Sequence, residues 1–150
     1  MTLYFAYGSN LKLDRMRTRV PSARVIGRAQ LRNRRFSLDK RSADGSAKAN
    51  IREDERACVW GILYAIDPAH WELLDRYEPG YERIAAKVVT EEGETVSAET
   101  YVAQVLTQEP AAFDWYKQLV VEGAREQGLP EDYIAALERL PEKPDPAGPR

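Results

Sequence analysis

Leu3-Tyr4-Phe5-Ala6-Tyr7-Gly8-Ser9-Asn10-Leu11 is the stretch from which the rest of the chain is read. Leu3, Tyr4 and Phe5 are strand formers in an uncharged apolar run. The run stops at Gly8-Ser9-Asn10, three residues typical of tight loops. Leu13, Met16 and Val20 follow at spacings of three and four, so a helix begins after Asn10. Gly8 allows close backbone approach, and neighbouring N–H groups of such a loop can converge on one anion. By spacing alone the commoner reading is an ordinary strand-to-helix turn. A single short glycine loop is a weak signal for phosphate or carboxylate binding.

The chain of 150 residues is long enough for one domain with a sizeable core. It is 43% hydrophobic and 31% charged, an ordinary globular balance, with a formal net charge of −2. Cys58 is the only cysteine, which excludes an internal disulfide, and no CxxC or Cys/His cluster points to zinc. The start lacks the basic segment and long apolar core of a signal peptide. No apolar run is long enough for a bilayer, so a cytoplasmic protein without membrane contact is expected.

Charge is unevenly spread. Residues 12–56 hold fourteen Lys/Arg against six Asp/Glu, and residues 57–150 hold eight against eighteen. The densest basic stretch is Arg32, Arg34, Arg35, Lys40 and Arg41. A nucleic-acid contact there would show a steep salt dependence. A solvated sheet edge blunted by charge is the commoner meaning of such a run, and no nucleic-acid-binding motif accompanies it. No nucleic-acid partner is therefore expected. The segment 28–56 either shapes a pocket or meets a partner.

Along the chain, Val25–Leu31 and Phe36–Lys40 read as strands either side of a charged turn. Ser42–Ser46 is a polar loop near the mouth of a site. Ala47–Ile51 reads as a short strand, Arg52–Arg56 as a second charged turn, and Ala57–Ile66 as a strand buried on both faces. Cys58 in it reads as a packed thiol. Asp67-Pro68 opens a helix that places Trp71 and Leu74 on one face. His70 in its first turn reads as a surface residue. The helix ends at Glu78-Pro79-Gly80. Glu78 is thereby left at a helix terminus beside a rigid turn. Desolvation and the negative helix end both raise a carboxyl pKa toward that of a general base. A solvated glutamate is the plain alternative.

Tyr81–Thr90 and Thr95–Val105 read as a hairpin. Glu109-Pro110 opens a helix with Phe113, Tyr116, Leu119, Val120 and Ala124 on its apolar face, and Pro130 begins another. Residues 141–150 read as a flexible Pro-rich tail after a single domain over 1–140. Six or seven strands in consecutive runs and about four helices make the fold class α+β, with a mostly antiparallel sheet or barrel.

Several ordered segments carry a family resemblance. Tyr7-Gly8-Ser9-Asn10-Leu11 after a first strand resembles the hallmark of the γ-glutamylcyclotransferases. So do Val59-Trp60-Gly61-Ile62-Leu63-Tyr64, Leu74-Asp75-Arg76-Tyr77-Glu78 with Tyr81, and Tyr116-Lys117 followed by Gly123 to Pro130. Together they cover most of residues 3–140, with the poorest match from Arg28 to Arg56.

The resemblance implies a small mostly antiparallel β-barrel flanked by about four helices. It implies conversion of γ-glutamyl-amino acids or amides to 5-oxoproline and a free amine, with no metal and no cofactor. Glu78 would be the general acid/base. Tyr7, Gly8, Ser9, Asn10 and Leu11 would bind the substrate with Tyr81 and Tyr116, although each tyrosine is equally a core residue. Pro79-Gly80-Tyr81 departs from relatives that carry glycine directly after the glutamate, and makes Glu82 a rival carboxylate. The full Tyr-Gly-Ser-Asn-Leu form argues against glutathione-specific relatives. A small γ-glutamyl compound is the expected partner, and a homodimer is left open. A non-catalytic binder of a small anion or a partner chain is the other class of function in view.

Overall fold

Phe5 and Ala6 are fully buried at the end of β1 (Thr2–Ala6), the first strand of a closed five-stranded barrel. The computed structural model describes residues 1–148. The other barrel strands are β2 (Arg24–Arg41), β3 (Ala47–Ile66), β4 (Tyr81–Thr90) and β5 (Thr95–Ala103). Their order is β1-β3-β2-β4-β5. Every neighbouring pair is antiparallel except β1 with β5, which closes the barrel in parallel. Among the described residues four α-helices accompany it, so the α+β, mostly antiparallel barrel is the observed class. Phe5, Ile51, Val59, Ile62, Tyr64 and Val88 are almost fully buried. Burying each such side chain contributes about 1.5–3 kcal/mol.

Two expected turns do not reverse the chain. The segment Val25–Lys40 is one strand, and so is Ala47–Ile66. The charged stretches lie where the β2–β3 register slips: Arg32 pairs with Cys58, but Arg34 already pairs with Glu53. Asn33 takes a positive φ of 64° there, a conformation that asparagine tolerates. Polar residues thus mark a bulge in a long hairpin, because its apolar positions resume in register on both sides. Cys58 is half-buried, not packed in the core.

The helices are α1 (Leu13–Arg19), α2 (Trp71–Arg76), α3 (Asp114–Glu126) and α4 (Glu131–Glu138). Asp67 caps the turn before α2 by accepting from the Ala69 N–H at 2.9 Å. His70 is half-buried, with Nδ1 2.7 Å from Ser22 Oγ. The helix expected from Glu109-Pro110 starts later, at Asp114. Ala47 N–H donates to the Ala111 carbonyl at 3.1 Å, and Ala112–Phe113 forms β6, paired in parallel with β7 (Glu142–Lys143). Those ladder bonds hold the backbone extended up to Phe113. Part of the expected tail is thus paired, and Trp115 Nε1 donates to Asp145 at 2.9 Å. The last two residues of the tail lie outside the described residues.

α3 crosses the loop after β1 at very short range. A Cβ on Gly123 would lie 2.6 Å from the Lys12 nitrogen and 2.7 Å from Leu11 Cβ. Only glycine permits that approach.

Candidate active site

Tyr7 leaves β1, Gly8 turns the chain, and Ser9–Leu11 forms one 3₁₀ turn. Leu11 N–H closes that turn onto the Gly8 carbonyl at 3.1 Å. Facing it, the chain leaves α2 at Tyr77, and Glu78 N–H donates to the Asp75 carbonyl at 3.0 Å. Pro79-Gly80, with φ of +82° at Gly80, then turns into β4, which begins with Tyr81. Between the two turns is a small cavity, open to solvent at its mouth. Tyr7, Gly8, Ser9, Asn10, Glu78, Tyr81 and Tyr116 all line it, with Tyr4, Ala49 and Tyr101.

Leu11 is not among the lining residues. It is fully buried under the turn, where its carbonyl accepts from Gln127 Nε2 at 3.1 Å. The reason is the 3₁₀ turn, which points Leu11 into the core below α3. Glu82 is exposed on β4 and does not reach the cavity. One strand residue, Tyr81, separates it from the turn that carries Glu78.

Glu78 is held by a chain of polar contacts. Arg19 Nη1 donates to Asn10 Oδ1 at 3.2 Å. A guanidinium only donates, so the Asn10 amide NH₂ is turned the other way. That NH₂ donates to Tyr4 Oη at 3.0 Å and to Glu78 Oε1 at 3.1 Å. Arg19 itself stands 3.7 Å from the same carboxylate oxygen. The Asn10 backbone is fixed as well, its carbonyl accepting from Tyr64 Oη at 2.8 Å. Arg15 Nε donates to Ser9 Oγ at 3.1 Å.

Only 14% of the Glu78 side chain is exposed. Burial raises its pKa from 4.5 to about 7, against the opposing pull of Arg19, Asn10, Arg15 and Lys40. The sign expected for Glu78 is therefore found, with desolvation as the dominant cause. Burial also pushes Tyr4 and Tyr7 well up, and the Glu78 charge adds to the rise. These phenols stay protonated, and Tyr4 Oη accepts from Asn10.

The cavity tyrosines are themselves anchored. Tyr81 Oη donates to the Ala49 carbonyl at 2.6 Å, and Tyr116 Oη accepts from the Ala49 N–H at 3.2 Å. Tyr7 Oη donates to the Tyr101 carbonyl at 2.6 Å. A Cβ on Gly8 would stand 2.9 Å from Ala49 Cβ, so the loop packs directly on β3. Tyr4, Ala49, Tyr101, Arg15 and Arg19 were not expected at the site. The signal for the two arginines is their spacing of four on α1, one turn after the loop. It is hidden in sequence by the basic run around it.

The chain is 32% identical to human γ-glutamylcyclotransferase over 149 residues, covering 92% of this chain and 78% of the relative. It belongs to the γ-glutamylcyclotransferase family. The mouse member of the family is matched at the same identity and coverage. The sequence profile of the AIG2-like family matches residues 58–137, a span that holds Glu78, Tyr81 and Tyr116. Among solved structures, a γ-glutamyl cyclotransferase superposes with a TM-score of 0.86 at 28% identity, covering 97% of this chain and 89% of that one. YkqA from Bacillus subtilis shares the fold with a TM-score of 0.79 at 23% identity, covering 95% of this chain and 56% of its own. Among the described residues no helix is long and apolar enough to cross a membrane.

Proposed function

We propose that this chain is a γ-glutamylcyclotransferase that converts γ-glutamyl-amino acids or γ-glutamyl amides to 5-oxoproline and a free amine. The observation that carries the reading is the Glu78 carboxyl, bonded to Asn10 on the wall of the cavity with its pKa raised to about 7. Family membership supports it.

The substrate brings its own nucleophile, the α-amine. The Tyr7–Asn10 loop holds the γ-glutamyl head, its backbone N–H groups taking the carboxylate or the oxyanion that develops on the γ-carbonyl. Holding the amine against that carbonyl is a proximity effect worth about 7 kcal/mol or more in favourable cases. Glu78 as carboxylate takes a proton from the α-ammonium. The amine lone pair forms the new C–N bond of the lactam, and the old amide C–N bond breaks with its electrons on the departing nitrogen. Two protons leave the α-nitrogen and two reach the departing nitrogen, ferried through Glu78, so the carboxylate is regenerated. No metal or organic cofactor enters these steps. Tyr81 and Tyr116 complete the cavity wall.

The test is to incubate purified protein with a panel of γ-glutamyl amides and assay 5-oxoproline. Glu78→Gln should keep the fold and lose about 10²–10⁴-fold in turnover. Full activity in that variant removes the assigned base. Ligand-dependent thermal stabilisation with no product from any amide would instead make the chain a non-catalytic binder.

A further inference from the structure

Tyr4 Oη lines the cavity, accepts one hydrogen bond and, among the described residues, donates none. Three other phenols of the same wall have placed their protons. Tyr7, Tyr81 and Tyr101 each donate at 2.6 Å, to the Tyr101 carbonyl, the Ala49 carbonyl and Asp75 Oδ1. Tyr116 Oη accepts from the Ala49 N–H and meets the Ser9 hydroxyl.

The Tyr4 proton cannot turn toward Asn10. Arg19 donates to Asn10 Oδ1, so it is the amide NH₂ that faces Tyr4. One donor bond of that NH₂ runs to Tyr4 Oη at 3.0 Å and the other to Glu78 Oε1 at 3.1 Å. The phenol and the carboxyl therefore stand side by side on one nitrogen. The ring is fixed there too. It stacks on Tyr64 with centroids 6.2 Å apart and meets Trp71 and Tyr101 edge to face at 6.0 and 5.8 Å. Burial, with the Glu78 charge adding, raises the Tyr4 pKa, so the phenol keeps its proton while Glu78 titrates. A rigid, nearly buried donor with no acceptor of its own is suited to an acceptor that arrives with the ligand.

We propose that Tyr4 is a further catalytic residue, whose O–H donates a hydrogen bond to the γ-carbonyl oxygen and holds the oxyanion formed there during ring closure. This rests on the γ-glutamylcyclotransferase reading of the same cavity. Glu78 exchanges protons with the two nitrogens attached to the γ-carbon, and the carbonyl oxygen is attached to that same carbon. A donor beside Glu78 is thus beside all three atoms. Tyr4 keeps its proton throughout, so the proton count of the reaction is unchanged. The loop N–H groups are then left for the carboxylate of the γ-glutamyl head.

Two ligands that cannot react read the donor without turnover. 3-Oxocyclopentanecarboxylate is the carbocyclic counterpart of 5-oxoproline, and cyclopentanecarboxylate lacks only its carbonyl oxygen. Each is titrated calorimetrically into full-length wild type and Tyr4→Phe. Wild type should bind the ketone about two- to ten-fold tighter, the range of one neutral hydrogen bond. Tyr4→Phe should bring that ratio close to one while its affinity for cyclopentanecarboxylate is kept, which shows the site intact. With a γ-glutamyl amide, kcat should fall about 10²–10³-fold in Tyr4→Phe, with KM little changed and the acid limb still at about pH 7. A ratio untouched by the substitution overturns the proposal. So does an equal loss for both ligands, or no binding of either. A kcat within a few-fold of wild type overturns it as well. A displaced acid limb, with activity recovered at higher pH, would make Tyr4 a positioning residue acting through Asn10, and overturns it too. If the ratio behaves as expected but wild type makes no 5-oxoproline from any γ-glutamyl amide, the carbonyl donor stands and the reaction falls.

Discussion

Asn10 Nδ2 lies 3.1 Å from Glu78 Oε1, joining two turns that are 68 residues apart in sequence. The same asparagine accepts from Arg19 at 3.2 Å. One amide therefore couples a guanidinium to a carboxyl whose charge burial opposes. Several consequences can be measured.

The first concerns activity against pH. Glu78 must be ionised to accept a proton, and its pKa is about 7. Accordingly kcat/KM should rise as pH increases through about 7. Arg19 and Asn10 both lower that pKa. Arg19→Gln and Asn10→Ala should therefore move the acid limb to higher pH. A limb that stays in place in both variants would show that Glu78 does not govern it.

The second concerns stability. The folded Glu78 pKa is raised above its ordinary 4.5, so between 4.5 and about 7 the native state holds more proton than the unfolded chain. Its favourable contribution is complete below about pH 4.5 and is lost as pH rises through about 7. The difference amounts to roughly 3 kcal/mol. Glu78→Gln should match wild type in thermal denaturation at pH 4 and exceed it at pH 8. Parallel pH curves for the two proteins would contradict a buried, destabilised carboxylate.

The third separates wall from ligand. Tyr81 Oη donates to the Ala49 carbonyl and Tyr116 Oη accepts from the Ala49 N–H. Tyr81→Phe strands a carbonyl and Tyr116→Phe strands an N–H, so each should lose about 1 kcal/mol of stability. Urea denaturation at fixed pH measures this directly. No loss in either variant would mean that the hydroxyls are free to serve substrate instead.

The fourth tests how the loop is supported. Gly123→Ala inserts a methyl 2.6 Å from the Lys12 nitrogen, a backbone atom that cannot swing away. Overpacking of this kind costs about 1–3 kcal/mol, more than the gain of about 0.8–1 kcal/mol in helix propensity. A lower melting temperature and a lower kcat/KM are both expected. Unchanged values would show that α3 can slide outward without disturbing Ser9–Leu11.

Much of the site could be read before any coordinates. Gly8, Ser9 and Asn10 announce a tight loop through their own turn chemistry, and Pro79-Gly80 stops the helix ahead of Tyr81. Both are local effects of φ restriction and side-chain size. The ends of β2 and β3 were legible for the same reason, through alternation and apolar runs. Their middles were not. Arg32–Arg35 and Arg52–Arg56 carry turn-like polarity, yet a register slip of the long hairpin absorbs them. Local composition does not distinguish a bulge from a reversal, because the choice rests on the pairing strand.

By itself, then, the sequence determined the α+β class, the strand–loop–helix opening and the placement of one glutamate beside a rigid turn. These follow from preferences that act within a few residues. Tertiary structure alone decided that Asn10 meets Glu78, that Arg19 reaches both, that Leu11 supports the loop from below and that Lys40 is buried beside Tyr81. Barrel closure and the crossing of α3 over the loop bring these groups together. Burial and long-range contact set their energies, and neither is encoded in the neighbours of any one residue.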